Sequence, residues 1–273
     1  MSAATQPPDG AGVDQLFYMK GGIGDLLQHL PFVLAHKPRP PRYVVASHQA
    51  GATRLFEHVG VALERFFLYA DDEQLAKAED EIVRMGPVVP CPRVQYFSES
   101  PFVRPPDVFA DGSLPIVGVQ LGGSRYSIVK QAQAGLTSKA LPGALLGHLV
   151  PKPINILLFG SADEIAATGL VETARLKFIC FPDIVTSLSN VLLCRAVVAS
   201  DSVVKTMSAM LRIPTVVWLA NYRDDFRDRL FIRPYAADGV MSVFRYVNLA
   251  AISEFDRGVE FTDAALRKSI GVA

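Results

Sequence analysis

Asp25 follows the glycine run Gly21-Gly22-Ile23-Gly24, and Asp201 with Ser202 follows the run Ala196-Val197-Val198-Ala199-Ser200. In both places a short apolar stretch leads into small polar residues and then into residues able to start a helix. That pattern sets a carboxylate at the mouth of a strand-to-helix turn, the edge at which open α/β sheets bind ligands. A carboxylate there can take a proton from a substrate hydroxyl, and the N–H groups that open a helix can hold an anion. An aspartate or serine at such a position also caps a helix without doing any chemistry, so neither segment is decisive alone.

A third polar loop, residues 120–130, contains Gly122, Gly123, Ser124, Arg125, Ser127 and Lys130. Glycines, hydroxyls and cations together suit phosphate oxygens, although a solvated turn has the same composition. The glycines at 21–24 allow close approach to the backbone. They do not form the dinucleotide fingerprint, which would need glycine where Leu27 stands. His29 lies one helical turn after Asp25 and is expected near the same mouth. The charged segment 221–229 leaves the last expected strand at the same kind of edge, where it either meets a ligand or remains a solvated turn.

The elements that must position these loops follow from hydrophobic periodicity. Strands are expected at residues 16–19, 43–46 and 65–69, and helices at 25–37, 53–59 and 72–85. Prolines concentrate between 87 and 115, exclude a long helix there and mark a connection, with the boundary near Gly112. The pattern then restarts, with strands at 116–120, 154–159, 177–181, 196–199 and 215–219. Helices are expected at 141–150, 162–175, 184–194, 202–211 and 263–270. Alternation of this kind predicts α/β structure with parallel, doubly wound sheets in two domains, residues 13–112 and 113–273.

The 27 basic and 27 acidic residues give zero formal charge, which argues against a dominant footprint for nucleic acid or an anionic membrane. Three cysteines without metal-ligand spacing suggest neither a disulfide framework nor a zinc site, and fit a reducing compartment. No apolar run reads as a secretory signal or membrane span. The expectation is a cytoplasmic protein.

Taken in order, four motifs resemble glycosyltransferase family 9, the ADP-heptose:lipopolysaccharide heptosyltransferases and their relatives. They are Gly24-Asp25-Leu26-Leu27 with Pro31, Gly122-Gly123-Ser124 with Lys130, residues 157–164 (Leu-Leu-Phe-Gly-Ser-Ala-Asp-Glu), and Ala199-Ser200-Asp201-Ser202 followed by Met207-Ser208-Ala209-Met210-Leu211-Arg212-Ile213-Pro214-Thr215-Val216. The resemblance covers residues 16–219, and its last motif is the most specific. It implies a GT-B fold, two Rossmann-like domains facing a central cleft. It also implies inverting, metal-independent transfer of a sugar, a heptose among the candidates, from a nucleotide-diphosphate donor to a hydroxyl of a glycan or glycolipid acceptor. No cofactor, no nucleic acid and at most peripheral membrane contact are implied. Asp25 corresponds to the general base. Gly122, Gly123, Ser124 and Lys130 correspond to the diphosphate loop, Asp201 and Ser202 to the donor-binding turn, with Lys205 beside them, and Gly22, Gly24 and His29 lie on the acceptor side.

Val203 and Val204 stand where the family has glycine and proline, and Lys205 is expected to supply charge in compensation. The chain also lacks the Asp-x-Asp triplet of metal-dependent sugar transferases. Two other classes are consistent with the same residues. One is a GT-B-like binding or scaffold protein without catalysis, and the other is a nucleotide-sugar epimerase of the same architecture.

Overall fold

A computed structural model of the protein describes residues 15–122, 143–180, 183–220, 228–247 and 251–272. They fall into two compact units that divide between Val94 and Gln95, ahead of the Gly112 expected from composition. The proline-rich stretch after Gln95 is fastened to the second unit. Tyr235 donates its hydroxyl to the Gln95 carbonyl, Phe97 N–H bonds to the Met210 carbonyl, and Asn155 Nδ2 bonds to the Asp111 carbonyl.

The first unit runs β1 (Leu16–Lys20), α1 (Ile23–Leu27), α2 (Leu30–Ala35), β2 (Arg42–Ser47), α3 (Ala52–His58), β3 (Arg65–Leu68), α4 (Asp72–Arg84) and β4 (Val88–Pro90). The strands form one parallel sheet in the order β3-β2-β1-β4. Leu26, Leu27, Leu30 and Val33 are fully buried, as their helical spacing predicts, while Leu34, which shares that spacing, is only partly buried. The single helix expected over 25–37 is nevertheless two, because Pro31 sits in the first turn of α2. A proline has no N–H for the preceding turn, and its ring displaces the carbonyl four residues back. β4 escapes a periodicity reading because it is three residues long and ends in Pro90. It is tolerated because it lies at the sheet edge, where one side of the strand needs no partner.

The second unit runs β5 (Ile116–Gln120), α5 (Gly143–Leu149), β6 (Asn155–Gly160), α6 (Ala162–Ala166), β7 (Leu176–Cys180), α7 (Ile184–Asn190), β8 (Ala196–Ala199), α8 (Val203–Met210) and β9 (Thr215–Ala220). A π-helical turn at Asp228–Ile232, α9 (Arg233–Ala237), β10 (Met241–Tyr246) and α10 (Ile252–Ile270) follow. Six parallel strands take the order β10-β9-β8-β5-β6-β7. The central strands β5, β6 and β8 are buried at every residue, as expected of a parallel sheet covered on both faces. α6 is much shorter than the helix expected over 162–175, and Gly169 beyond it has φ +66°. α10 begins at Ile252, well before the expected 263.

α10 docks on Trp218, whose indole N–H bonds to Thr262 Oγ1 at 2.9 Å. Gly258 makes this approach possible, since a Cβ there would come within 2.4 Å of the indole ring. On an exposed helix Gly→Ala gains about 1 kcal/mol. Here the overpacking term, about 1–3 kcal/mol, opposes that gain and exceeds it. Gly258→Ala is therefore expected to lower the denaturant midpoint of the protein, and a raised midpoint would show that α10 does not pack as described.

Candidate functional site

Both sheets are wound in two directions, and each reversal marks a ligand-binding edge. In the first unit the chain proceeds from β1 to β2 and β3 on one side and returns to β4 on the other, so the reversal falls between β1 and β4. In the second it falls between β5 and β8. Asp25 follows β1. Gly122 follows β5, and Asp201 with Ser202 follows β8.

At the β1/β4 edge, Gly21 adopts φ +125°, and a Cβ on it would lie 2.5 Å from the Asp25 carboxyl carbon. The turn therefore needs glycine for both conformation and space. Gly22 caps α1, and its N–H donates to Asp25 Oδ2 at 3.0 Å. Gly24 lies in the first turn of α1. Asp25 Oδ1 accepts from Arg93 Nη1 at 3.3 Å, and the same Nη1 reaches Gln28 Oε1 at 3.4 Å. The Asp25 side chain remains 32 % exposed, enough to meet a substrate. From the end of β2, Gln49 Oε1 accepts the Ile23 N–H at 2.7 Å, and the His48 ring lies against Gly22.

His29 is placed differently from its expectation on an acceptor-side loop. It is 3 % exposed, and its Nδ1 lies 3.0 Å from the Pro92 carbonyl. Because a carbonyl only accepts, Nδ1 carries the proton. Burial, and then the Arg93 charge, push its pKa down to about 4, so the ring is neutral. It serves to hold the segment after β4.

At the β5/β8 edge the start of α8 is served from within. Ser202 Oγ accepts the Lys205 N–H at 3.4 Å, and Gln120 Oε1 accepts the Val204 N–H at 3.1 Å. Lys205 is 1 % exposed, and its ammonium sits 2.7 Å from Asp201 Oδ1 and 5.5 Å from the centre of the Phe231 ring. The charge expected to replace the lost glycine thus forms an internal ion pair. Gly122 packs on Glu164, where a Cβ would meet Oε1 at 2.3 Å. Glu164 in turn accepts the Ser161 N–H at 2.7 Å, and Ser161 Oγ caps α6. Gly123, Ser124, Lys130 and residues 221–227 lie outside the described residues. Just past them, Asp228 accepts from Arg233 and Arg245. Burial works against its ionisation, but these two guanidiniums outweigh burial and hold the carboxyl below the usual carboxylate range.

Among the described residues no group of three or more His, Cys, Asp or Glu forms a metal site, and no helix is long and apolar enough to cross a membrane. Arg93 and Gln49 do not stand out in the sequence, because each belongs to a different strand end from the turn it serves and no local motif connects them. Gln120 and Glu164 fall inside the segments 120–130 and 157–164, but their contacts with Val204 and Gly122 join separate strand ends that sequence proximity does not link.

Two parallel α/β units with polar residues gathered at each reversal define a Rossmann-like protein built twice over. No protein-family model matches the chain, and no curated sequence does. Solved structures do. Escherichia coli ADP-heptose LPS heptosyltransferase II matches with a TM-score of 0.58 and 13 % identity, over 93 % of this chain and 99 % of that one. A family 9 glycosyltransferase from Veillonella parvula matches at 0.52 with 9 % identity, over 94 % and 98 %. A proposed UDP-N-acetylglucosamine 2-epimerase from Listeria monocytogenes matches at 0.50 with 10 % identity, over 94 % and 90 %. At these identities the likeness is one of fold. The chain has the GT-B fold of the heptosyltransferases.

Proposed function

We propose that the protein is a glycosyltransferase of the family 9 type. In this reading it moves a sugar from a nucleotide-diphosphate donor to a hydroxyl of a glycan or glycolipid acceptor in the cytoplasm, with inversion and without a metal. The observation that carries it is Asp25. On a GT-B fold, a half-buried carboxylate sits at the reversal point of the first sheet, fixed by a backbone N–H and a guanidinium. Asp25 takes the acceptor proton as the hydroxyl oxygen attacks the anomeric carbon, and the sugar–phosphate bond breaks to release the nucleotide diphosphate. The second unit holds the donor at its β5/β8 edge. There the Asp201–Lys205 pair fixes the turn, and the loop at 122–130 supplies donors to the diphosphate. ADP-heptose is the first donor to test, after the name of the heptosyltransferase with the same fold.

A screen of nucleotide-diphosphate sugars tests this. The true donor at 100 times its Kd adds about 2.7 kcal/mol of stability and raises the melting temperature, and with an acceptor glycan it is consumed. Stabilisation by no member of the panel favours the binding or scaffold class. Conversion of the donor sugar with no acceptor present favours the epimerase reading, which the Listeria likeness keeps in view.

A further inference from the structure

We propose that Arg93 is the positioning residue for Asp25, a role that rests on Asp25 acting as the base in the transfer proposed above. The carboxylate has two anchors of different origin. Gly22 N–H belongs to the same turn and holds Oδ2, whereas Arg93 comes from 68 residues away and holds Oδ1. A carboxylate on a short surface helix has rotamer freedom, and a single local N–H leaves the second oxygen free to swing. A guanidinium on the second oxygen removes that freedom and sets the direction in which the remaining lone pairs point.

Arg93 can do this because its own backbone is fastened on both sides. Cys91 N–H bonds to the Tyr18 carbonyl of β1 at 2.8 Å, His29 Nδ1–H bonds to the Pro92 carbonyl at 3.0 Å, and Val94 N–H bonds to the Gln28 carbonyl at 2.7 Å. These three ties, at 91, 92 and 94, flank Arg93, whose side chain reaches the carboxylate. Gln28, which is 2 % exposed, shares Nη1 and limits its swing. The buried His29 thus acts on the same carboxylate at one remove. Its neutral ring fixes the Pro92 carbonyl beside a cation without adding a second positive charge.

The experiment compares wild type with Arg93→Met, Arg93→Lys, Asp25→Asn and the Asp25→Asn/Arg93→Met double variant. Methionine keeps the apolar stem, so the packing of the segment is retained. Arg93→Met is expected to lower kcat by about 100-fold, the scale of a misplaced catalytic group, with donor KM unchanged. Arg93→Lys should restore part of that loss. The double variant should turn over no more slowly than Asp25→Asn alone, because a residue acting only through Asp25 has nothing left to position. The amide resonance of Gly22 should move in Arg93→Met and return in Arg93→Lys. Wild-type turnover in Arg93→Met, full additivity in the double variant, or an unmoved Gly22 amide would each overturn the assignment. A fully active Asp25→Asn would instead remove the base reading, and the Gly22 amide would still report whether Arg93 holds the carboxylate.

Discussion

Asp25→Asn and Asp25→Ala are both expected to lose about 10²–10⁴-fold in turnover, the usual contribution of a general base, while they differ in stability. The distinction separates chemistry from capping. Asparagine keeps a side-chain oxygen for the Gly22 N–H, so α1 remains capped, and loss of the partly exposed Arg93 ion pair should lower the melting temperature only slightly. Alanine removes that acceptor and should cost about 1 kcal/mol as well. The carboxylate is one-third exposed, so its loss leaves no cavity to confuse the comparison. Steady-state transfer kinetics beside thermal denaturation of both variants gives the answer. Wild-type turnover in Asp25→Asn would reduce Asp25 to a helix cap.

The second large effect is expected at Lys205, on stability before activity. Its ammonium is buried against Asp201, whose side chain is only 13 % exposed. Removing one member of such a pair leaves a charge short of its counter-ion in a place that water barely reaches, at a cost of about 3–5 kcal/mol. Lys205→Met should therefore lower the denaturant midpoint strongly. Asp201→Asn/Lys205→Met, which removes both charges, should recover much of the loss. If Lys205→Met kept its stability and lost only donor affinity, the lysine would be a ligand of the diphosphate and not the internal support described above.

The two predictions rest on elements of unequal legibility. β1, β2, β5, β6 and β8 are runs of apolar residues bounded by polar turns, and central parallel strands have little freedom to read otherwise. β4 and β10 are edge strands that tolerate Pro90, Ser242 and Arg245, and this tolerance erases the pattern. The helices were legible as apolar faces and less so in extent. Pro31 broke the first helix, and α10 extends well upstream of its expected start.

At the site, the order and types of Gly21 to Asp25 and of Ser200 to Ser202 were enough to locate both strand-end turns. A turn is a local object, whose glycines and caps are neighbours in the chain. The sequence also settled the alternation of strand and helix, and with it the parallel sheets. Only the folded chain decided which partners those turns have. Arg93 and Gln49 reach the first turn because the strand order β3-β2-β1-β4 brings the ends of β2 and β4 beside the end of β1. Lys205 reads in sequence as a spare cation four residues after Asp201. Burial makes it the counter-ion of that same aspartate, because an ammonium removed from water must find its opposite charge within reach.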